Sequence, residues 1–256
     1  MSDPQTIADA LDEAVRTRTA IPPFTKKIPF FDVQMAYKAQ ALLVEHRLRA
    51  GEHIIGAKLG MTSRVKRMAL NINEPVYGRL TSGMIIAQGD AVQLKELINP
   101  RVEPEIAFLT ARRIAGPTTP AAVLAAIEAV IPAIEVVDSR YSTPFRLPDS
   151  VADNAGAARI VLGAFGRPPA DLVDLSVLGC VFRCRGRIDT AAGGAVMGHP
   201  AAAMVWLAET LAAQGECIEA GSIVMSGGLT ASVPLKGQGV VTAEFDGLGS
   251  VGVHCA

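Results

Sequence analysis

The sequence is short of what nucleic-acid recognition and membrane crossing need. Aromatic residues make up only 5% of it, so it has little with which to stack bases. Its 24 Lys and Arg against 25 Asp and Glu leave a net charge of −1, with the charges dispersed rather than gathered into a basic footprint. No apolar run reaches the roughly 18–20 residues of a membrane-spanning helix. The four cysteines, Cys180, Cys184, Cys217 and Cys255, include no CxxC pair. That excludes a zinc knuckle and leaves reduced core thiols as the expectation. The opening MSDPQTIADALDEAVRTR is acidic-polar rather than basic-then-apolar, unlike a secretory signal, so a cytoplasmic protein is expected. Phosphate loops are missing as well. In GAKLGMTS, Lys58 precedes the second Gly, so no P-loop can be built, and no GxGxxG opens a helix after a strand.

What the chain does have is aliphatic mass, since half of it is hydrophobic. Apolar residues recur at helical spacing over 7–16 and, more strongly, over 32–50, where Asp32 suits an N-cap and Gly51 a stop. A strand is expected at 53–60 and a short helix capped by Ser63. From about Tyr77 short β-rich runs dominate, at 84–87, 91–94, 102–110, 133–137, 158–162, 178–183, 222–225, 240–245 and 251–254. Two helices interrupt them, at 119–130 with Pro120 in its first turn, and at 200–213 ending near Gly215. The pattern is α+β: a small N-terminal α/β domain over 1–80 and a larger mostly-β domain over 81–256.

Several charges sit where apolar side chains belong. In Arg101-Val102-Glu103-Pro104-Glu105-Ile106 the two glutamates are two apart and share a strand face. Buried together they repel unless a cation neutralises them. An edge strand with two solvated glutamates is the alternative, and Pro104 suits an edge. Glu135 lies inside the apolar run IPAIEVV, where a carboxylate needs a partner, either a metal ion or Arg101 or Arg140. Three strand carboxylates without His or Cys form an all-oxygen set that suits Mg²⁺ or Mn²⁺. Lys58 is similarly misplaced among Ile54, Ile55, Ala57 and Leu59, and either snorkels or faces an anion. Ser226-Gly227-Gly228 after the run SIVM forms either an anion nest or an ordinary turn. Asp153-Asn154 reads as a cap and turn, and His199 before Pro200 as a helix entry.

In this order the segments GAKLGMTS, EPVYGRL, NPRVEPEIAF, IPAIEVVDSRY, SVADNAGAARIVLG, GGAVMGHPAAAMVWLA, GSIVMSGGLTASVPL and FDGLGSV resemble the fumarylacetoacetate hydrolase superfamily, in its hydratase and decarboxylase branch. The resemblance implies that superfamily's β-fold for the C-terminal domain. It implies Mg²⁺, with Mn²⁺ as a substitute, held by Glu103, Glu105 and Glu135. It makes Lys58 catalytic and substrate-binding, and places Val76, Ser226, Gly227 and Gly228 around the substrate. The implied reaction is decarboxylation of 2-oxo-3-hexenedioate in the catabolism of aromatic compounds, with hydration of 2-hydroxypenta-2,4-dienoate as the alternative. Hydratases of the branch carry an Asp just before the aromatic-Gly pair. Here that place holds Val76, which favours the decarboxylase. Pro104 in place of the usual Ala, and Ser226 in place of the usual Thr, are departures. A homo-oligomer, and a complex with the pathway hydratase, are also implied.

Overall fold

Ile7, Ala8, Leu11 and Ala14 recur on one side of α1 (Pro4–Thr17) and bury it against α2 (Val33–Arg49), whose inner face is Ala36, Ala39, Leu43 and Val44. The structure, a computed structural model, describes residues 3–69, 72–87 and 89–256. Asp32 caps α2 as expected, its Oδ1 accepting the Met35 N–H at 2.8 Å. This helical pair does not stand alone. It packs on α5 (Leu147–Ala152), a helix absent from the sequence expectations, through a core that includes Val151, Ala152, Tyr141 and Val76. Buried Gln40 reaches across, its Nε2 donating to the carbonyls of Tyr77 at 3.0 Å and Val151 at 2.8 Å.

The rest is built on two sheets. The larger holds β1 (Ile54–Gly60), β2 (Val76–Thr81), β4 (Pro100–Thr110), β5 (Ile127–Asp138), β6 (Ala157–Leu162) and β9 (Ile223–Met225). Their order is β2-β1-β9-β4-β5-β6, with β10 (Val233–Pro234) also paired to β4. The smaller runs β3 (Ala91–Val92), β12 (Gly249–Cys255), β11 (Gly239–Phe245), β7 (Gly179–Cys184), β8 (Arg187–Ala192). Period-2 alternation assigns the faces. Val102, Ile106 and Phe108 of β4 and Val130, Ile134 and Val136 of β5 join Val241, Ala243, Phe245, Val251 and Val253 in the intersheet core. Glu103, Glu105 and Glu135 fall on the opposite face of their strands. The short helices α3 (Arg64–Ala69) and α4 (Pro120–Ala125) lie between strands. The helix α6 (Pro200–Ala212) buries Met204, Leu207 and Leu211 in the main core.

Three expectations are corrected. The domain boundary near residue 80 falls behind β1 and β2, which precede it yet pair into the larger sheet, while α5 from the far side joins the N-terminal helices. Residues 127–130 continue no helix: pairing of β5 with β4 from Thr110↔Ile127 onward outweighs the local propensity that carries α4. The stretch 84–87 forms no named strand and contributes only the isolated bridge Ile85↔Ile160.

Candidate metal centre and its cavity

Antiparallel register sets Glu103 directly opposite Glu135, with Glu105 opposite Ala133. Each of the three glutamates offers an oxygen within 4.8 Å of the others, and Glu105 and Glu135 are fully buried. Like charges placed directly across a ladder repel, so this register is unfavourable unless something positive stands over it. Lys58 supplies part of that charge. It comes from β1, three places from β5 in the strand order, yet its Nζ lies 3.0 Å from Glu135 Oε2, which requires the sheet to curl. The same Nζ donates to the Ala155 carbonyl at 3.0 Å.

The electrostatics are unbalanced. Burial pushes the Glu105 carboxyl well above the usual carboxylate range, and Glu135 and Glu103 push it further, against the pull of Lys58 and the Gly227 amide. Burial raises Glu135 too, with Lys58 opposing. For Lys58, burial works to lower the pKa, but Glu135, Glu105 and Glu103 together outweigh it and the net direction is up. Three carboxylates thus face one ammonium. Glu105 Oε1 and Glu135 Oε1 have no hydrogen-bond partner among the described residues, a costly condition for buried oxygens. An all-oxygen set with unpartnered buried acceptors and surplus negative charge fits a hard divalent cation.

Lys58 and Glu103 border a cavity of about 400 Å³, lined also by Val76, Gly228, Arg101 and Phe145, and Glu105 and Glu135 lie enclosed beside them. Of the glycine-loop residues, only Gly228 lines the cavity. The Gly227 amide donates to Glu105 Oε2 at 2.8 Å, and Ser226 is enclosed, its N–H committed to the Ile106 carbonyl. Neither glycine admits a side chain: a Cβ on Gly227 would strike Thr62, and one on Gly228 the Glu103 carboxylate. The arginine alternatives for Glu135 do not materialise, because Arg140 pairs with Asp153 and Arg101 with Ser232.

The carbonyl that holds Lys58 was not legible in the sequence. Asn154, Ala155 and Gly156 all adopt positive φ, an uncommon run that needs support from outside. Asn154 gives that support by acting as a strand edge toward β2. Its Oδ1 accepts the Arg79 N–H at 2.7 Å and its Nδ2 donates to the Arg79 carbonyl at 2.9 Å. Gly78 leaves the room, since a Cβ there would collide with the Asn154 carbonyl. His199 takes the helix-entry role expected of it, Nδ1 accepting the Ala201 N–H at 3.0 Å.

Comparison with known proteins gives consistent results. Residues 52–254 match the family described as Fumarylacetoacetate (FAA) hydrolase C-terminal. A 4-oxalocrotonate decarboxylase of Pseudomonas sp. is 40% identical over 247 residues, covering 96% of this chain and 95% of its own length. A 2-hydroxyhexa-2,4-dienoate hydratase of Comamonas testosteroni is 38% identical over 262 residues, 99% of each. The solved structure of 4-oxalocrotonate decarboxylase from Pseudomonas putida G7, complexed with magnesium and adipate, superposes with a TM-score of 0.94 at 34% identity. The match covers 99% of this chain and 97% of that one.

Proposed function

Because the chain belongs to the fumarylacetoacetate hydrolase family, we propose that it is a magnesium-dependent decarboxylase. Its substrate is 2-oxo-3-hexenedioate (4-oxalocrotonate), which it converts to CO₂ and 2-hydroxypenta-2,4-dienoate in meta-cleavage catabolism of aromatic compounds. The observation that carries this reading is the surplus of buried carboxylate over ammonium at the cavity, together with decarboxylase relatives over nearly the whole chain.

In the reaction the bond to the far carboxylate breaks, CO₂ leaves, and the electron pair moves through the conjugated double bond to the 2-oxo oxygen, which takes up a proton from solvent to give the 2-hydroxydienoate. Glu103, Glu105 and Glu135 would hold Mg²⁺, which when bound would supply Lewis-acid stabilisation of developing oxyanion charge. Lys58 acts beside it as a fixed donor. An ammonium has three N–H bonds, and with Glu135 and the Ala155 carbonyl taking two, one remains for a substrate oxygen. Fixed donors aimed where charge develops need no reorganisation during the step. Val76, Leu59, Met61 and Val137 give the cavity an apolar wall that keeps water from the carbon released by the departing group.

Hydration of 2-hydroxypenta-2,4-dienoate is the rival, kept because a hydratase relative is nearly as similar. Val76 weighs against it: buried at the cavity wall, it offers no carboxyl to move a proton from water. The deciding experiment incubates the protein with each compound, with Mg²⁺ or with EDTA. CO₂ from the diacid that stops with EDTA is expected, and consumption of the dienoate alone would select the hydratase instead. Val76→Asp should lower decarboxylation and introduce a measurable hydration rate; a variant unchanged in both would remove position 76 from the argument. A cytoplasmic homo-oligomer that associates with the pathway hydratase completes the reading, and co-purification of the two measures it.

A further inference from the structure

Along β4 the row Arg101, Glu103, Glu105 shares one face, and enclosure decreases along it: Glu105 is fully buried, Glu103 half-buried and Arg101 exposed. Arg101 therefore stands at the open side of the cavity, roughly 7 Å along the strand from Glu103. Its Nε donates to Ser232 Oγ at 2.8 Å and its Nη2 to the Ser232 carbonyl at 2.5 Å, and Ser232 lines the same cavity. Both acceptors are neutral. By contrast Arg47, Arg79, Arg140 and Arg159 each face a carboxylate. Among the described residues lining the cavity, Lys58 and Arg101 are the only cations, and Lys58 is paired with Glu135. The polar neighbours at that side are engaged internally. The Asn99 side-chain amide donates to the carbonyls of Ser139 and Tyr141, and Asp138 accepts the N–H groups of Ile98 and Asn99.

We infer that Arg101 is the specificity-determining residue for the substrate's second carboxylate, a guanidinium pre-set by Ser232 to receive the far end of a diacid whose near end lies at the glutamate cluster. The inference rests on the function proposed above and adds to it how a diacid is told from a monoacid. A guanidinium fork binds a carboxylate through paired N–H donors, and Arg101 Nη1 has no partner among the described residues. An extended six-carbon chain spans a length comparable with the Arg101–Glu103 separation. The direction of electron flow fixes what this grip can do. Charge leaves the far carboxylate and gathers on the 2-oxo oxygen, so a cation at the far end holds the substrate at least as tightly as the transition state. Arg101 should therefore act on KM and not lower the barrier.

The test uses Arg101→Gln and Arg101→Lys in the full chain with Mg²⁺, and a matched pair of inhibitors, 2-oxoadipate and 2-oxohexanoate, which differ only in the second acid group. In Arg101→Gln, KM for the diacid and the inhibition constant of 2-oxoadipate should rise by on the order of tenfold or more. The constant for 2-oxohexanoate should hold and kcat should not fall, with Arg101→Lys in between. Equal weakening of both inhibitors, no change for 2-oxoadipate, or a loss confined to kcat would overturn the assignment. Absence of turnover in the parent protein would instead sink the decarboxylase reading. Calorimetric titration of the same two inhibitors then still decides Arg101: selective loss of 2-oxoadipate binding in Arg101→Gln supports it, and equal binding refutes it.

Discussion

Among the described residues two ion pairs are buried, and they are built to opposite ends. Arg140 and Asp153 meet at 3.1 Å with both side chains almost fully enclosed. Arg140 Nε and Asp153 Oδ1 have only each other, while Asp153 Oδ2 accepts the Arg140 backbone N–H and the guanidinium also donates to the carbonyls of Asp138 and Ala157. The buried acids Asp138 and Asp149 also act on Asp153, but each has its own donors: the Ile98 and Asn99 N–H groups for the first, the Thr25 and Arg146 N–H groups for the second. Lys58 and Glu135 lie at a similar distance and depth, but two further carboxylates crowd them and two oxygens go unpartnered. The first pair closes the fold where α5 meets the sheet. The second leaves an electrostatic deficit facing a cavity. Depth of burial does not separate structure from function here; the supply of donors to the surrounding carboxylates does.

Glu105→Gln breaks the contrast most severely. Turnover that depends on Mg²⁺ should vanish while circular dichroism stays native. Mg²⁺ should raise the Tm of the parent protein and leave the variant's unmoved. Without metal, the variant should melt no lower than the parent, because the amide relieves repulsion from Glu135 and Glu103. Lys58→Ala should cut kcat by about 10²–10³, the usual cost of one fixed donor; a change in KM alone would reduce Lys58 to a binding contact. At the Arg140–Asp153 pair, Arg140→Ala strands Asp153 and should cost about 3–5 kcal/mol, a Tm loss on the order of 10 °C. Its kcat per folded molecule should stay near that of the parent, and a selective loss of kcat would blur the division drawn above.

The smallest effect is in pH. Burial, ahead of the opposing pull of Arg140, pushes the Asp153 carboxyl from 3.8 up to about 7. Between those values the folded chain holds a proton that the unfolded chain has released. The stability from this group is thus complete below about pH 4 and is lost as pH rises through 7. In EDTA, the difference in Tm between the parent and Asp153→Asn should change across that window and level off above it. A difference independent of pH would mean that Asp153 titrates alike in both states.

The carboxylate side of this contrast was largely legible in the sequence. Alternation in β4 put Glu103 and Glu105 on one face, and Glu135 stood out as a charge in an apolar run. What alternation cannot reveal is which strands meet. The choice of Lys58 over Arg101 or Arg140 as partner for Glu135 depends on the curl of the sheet. The Ala155 carbonyl that holds Lys58 comes from 97 residues away. The Gly227 amide reads as free for an anion until β9 and β4 are paired, which turns it toward Glu105. The domain boundary was misplaced for the same reason. A shift toward β-rich segments marks where strands become frequent, not which sheet the earlier strands join.

The crowding of the glycine loop limits how this catalyst can be re-engineered. A library that randomises Gly227 or Gly228 would yield mostly damaged proteins, because the first substituent atom already meets Thr62 or the Glu103 carboxylate. Changes in substrate range have to enter from the other walls. Met61, Val76 and Phe145 border the cavity with side chains that can be trimmed or enlarged, so selection for bulkier 2-oxo diacids should enrich variants there and return both glycines unchanged.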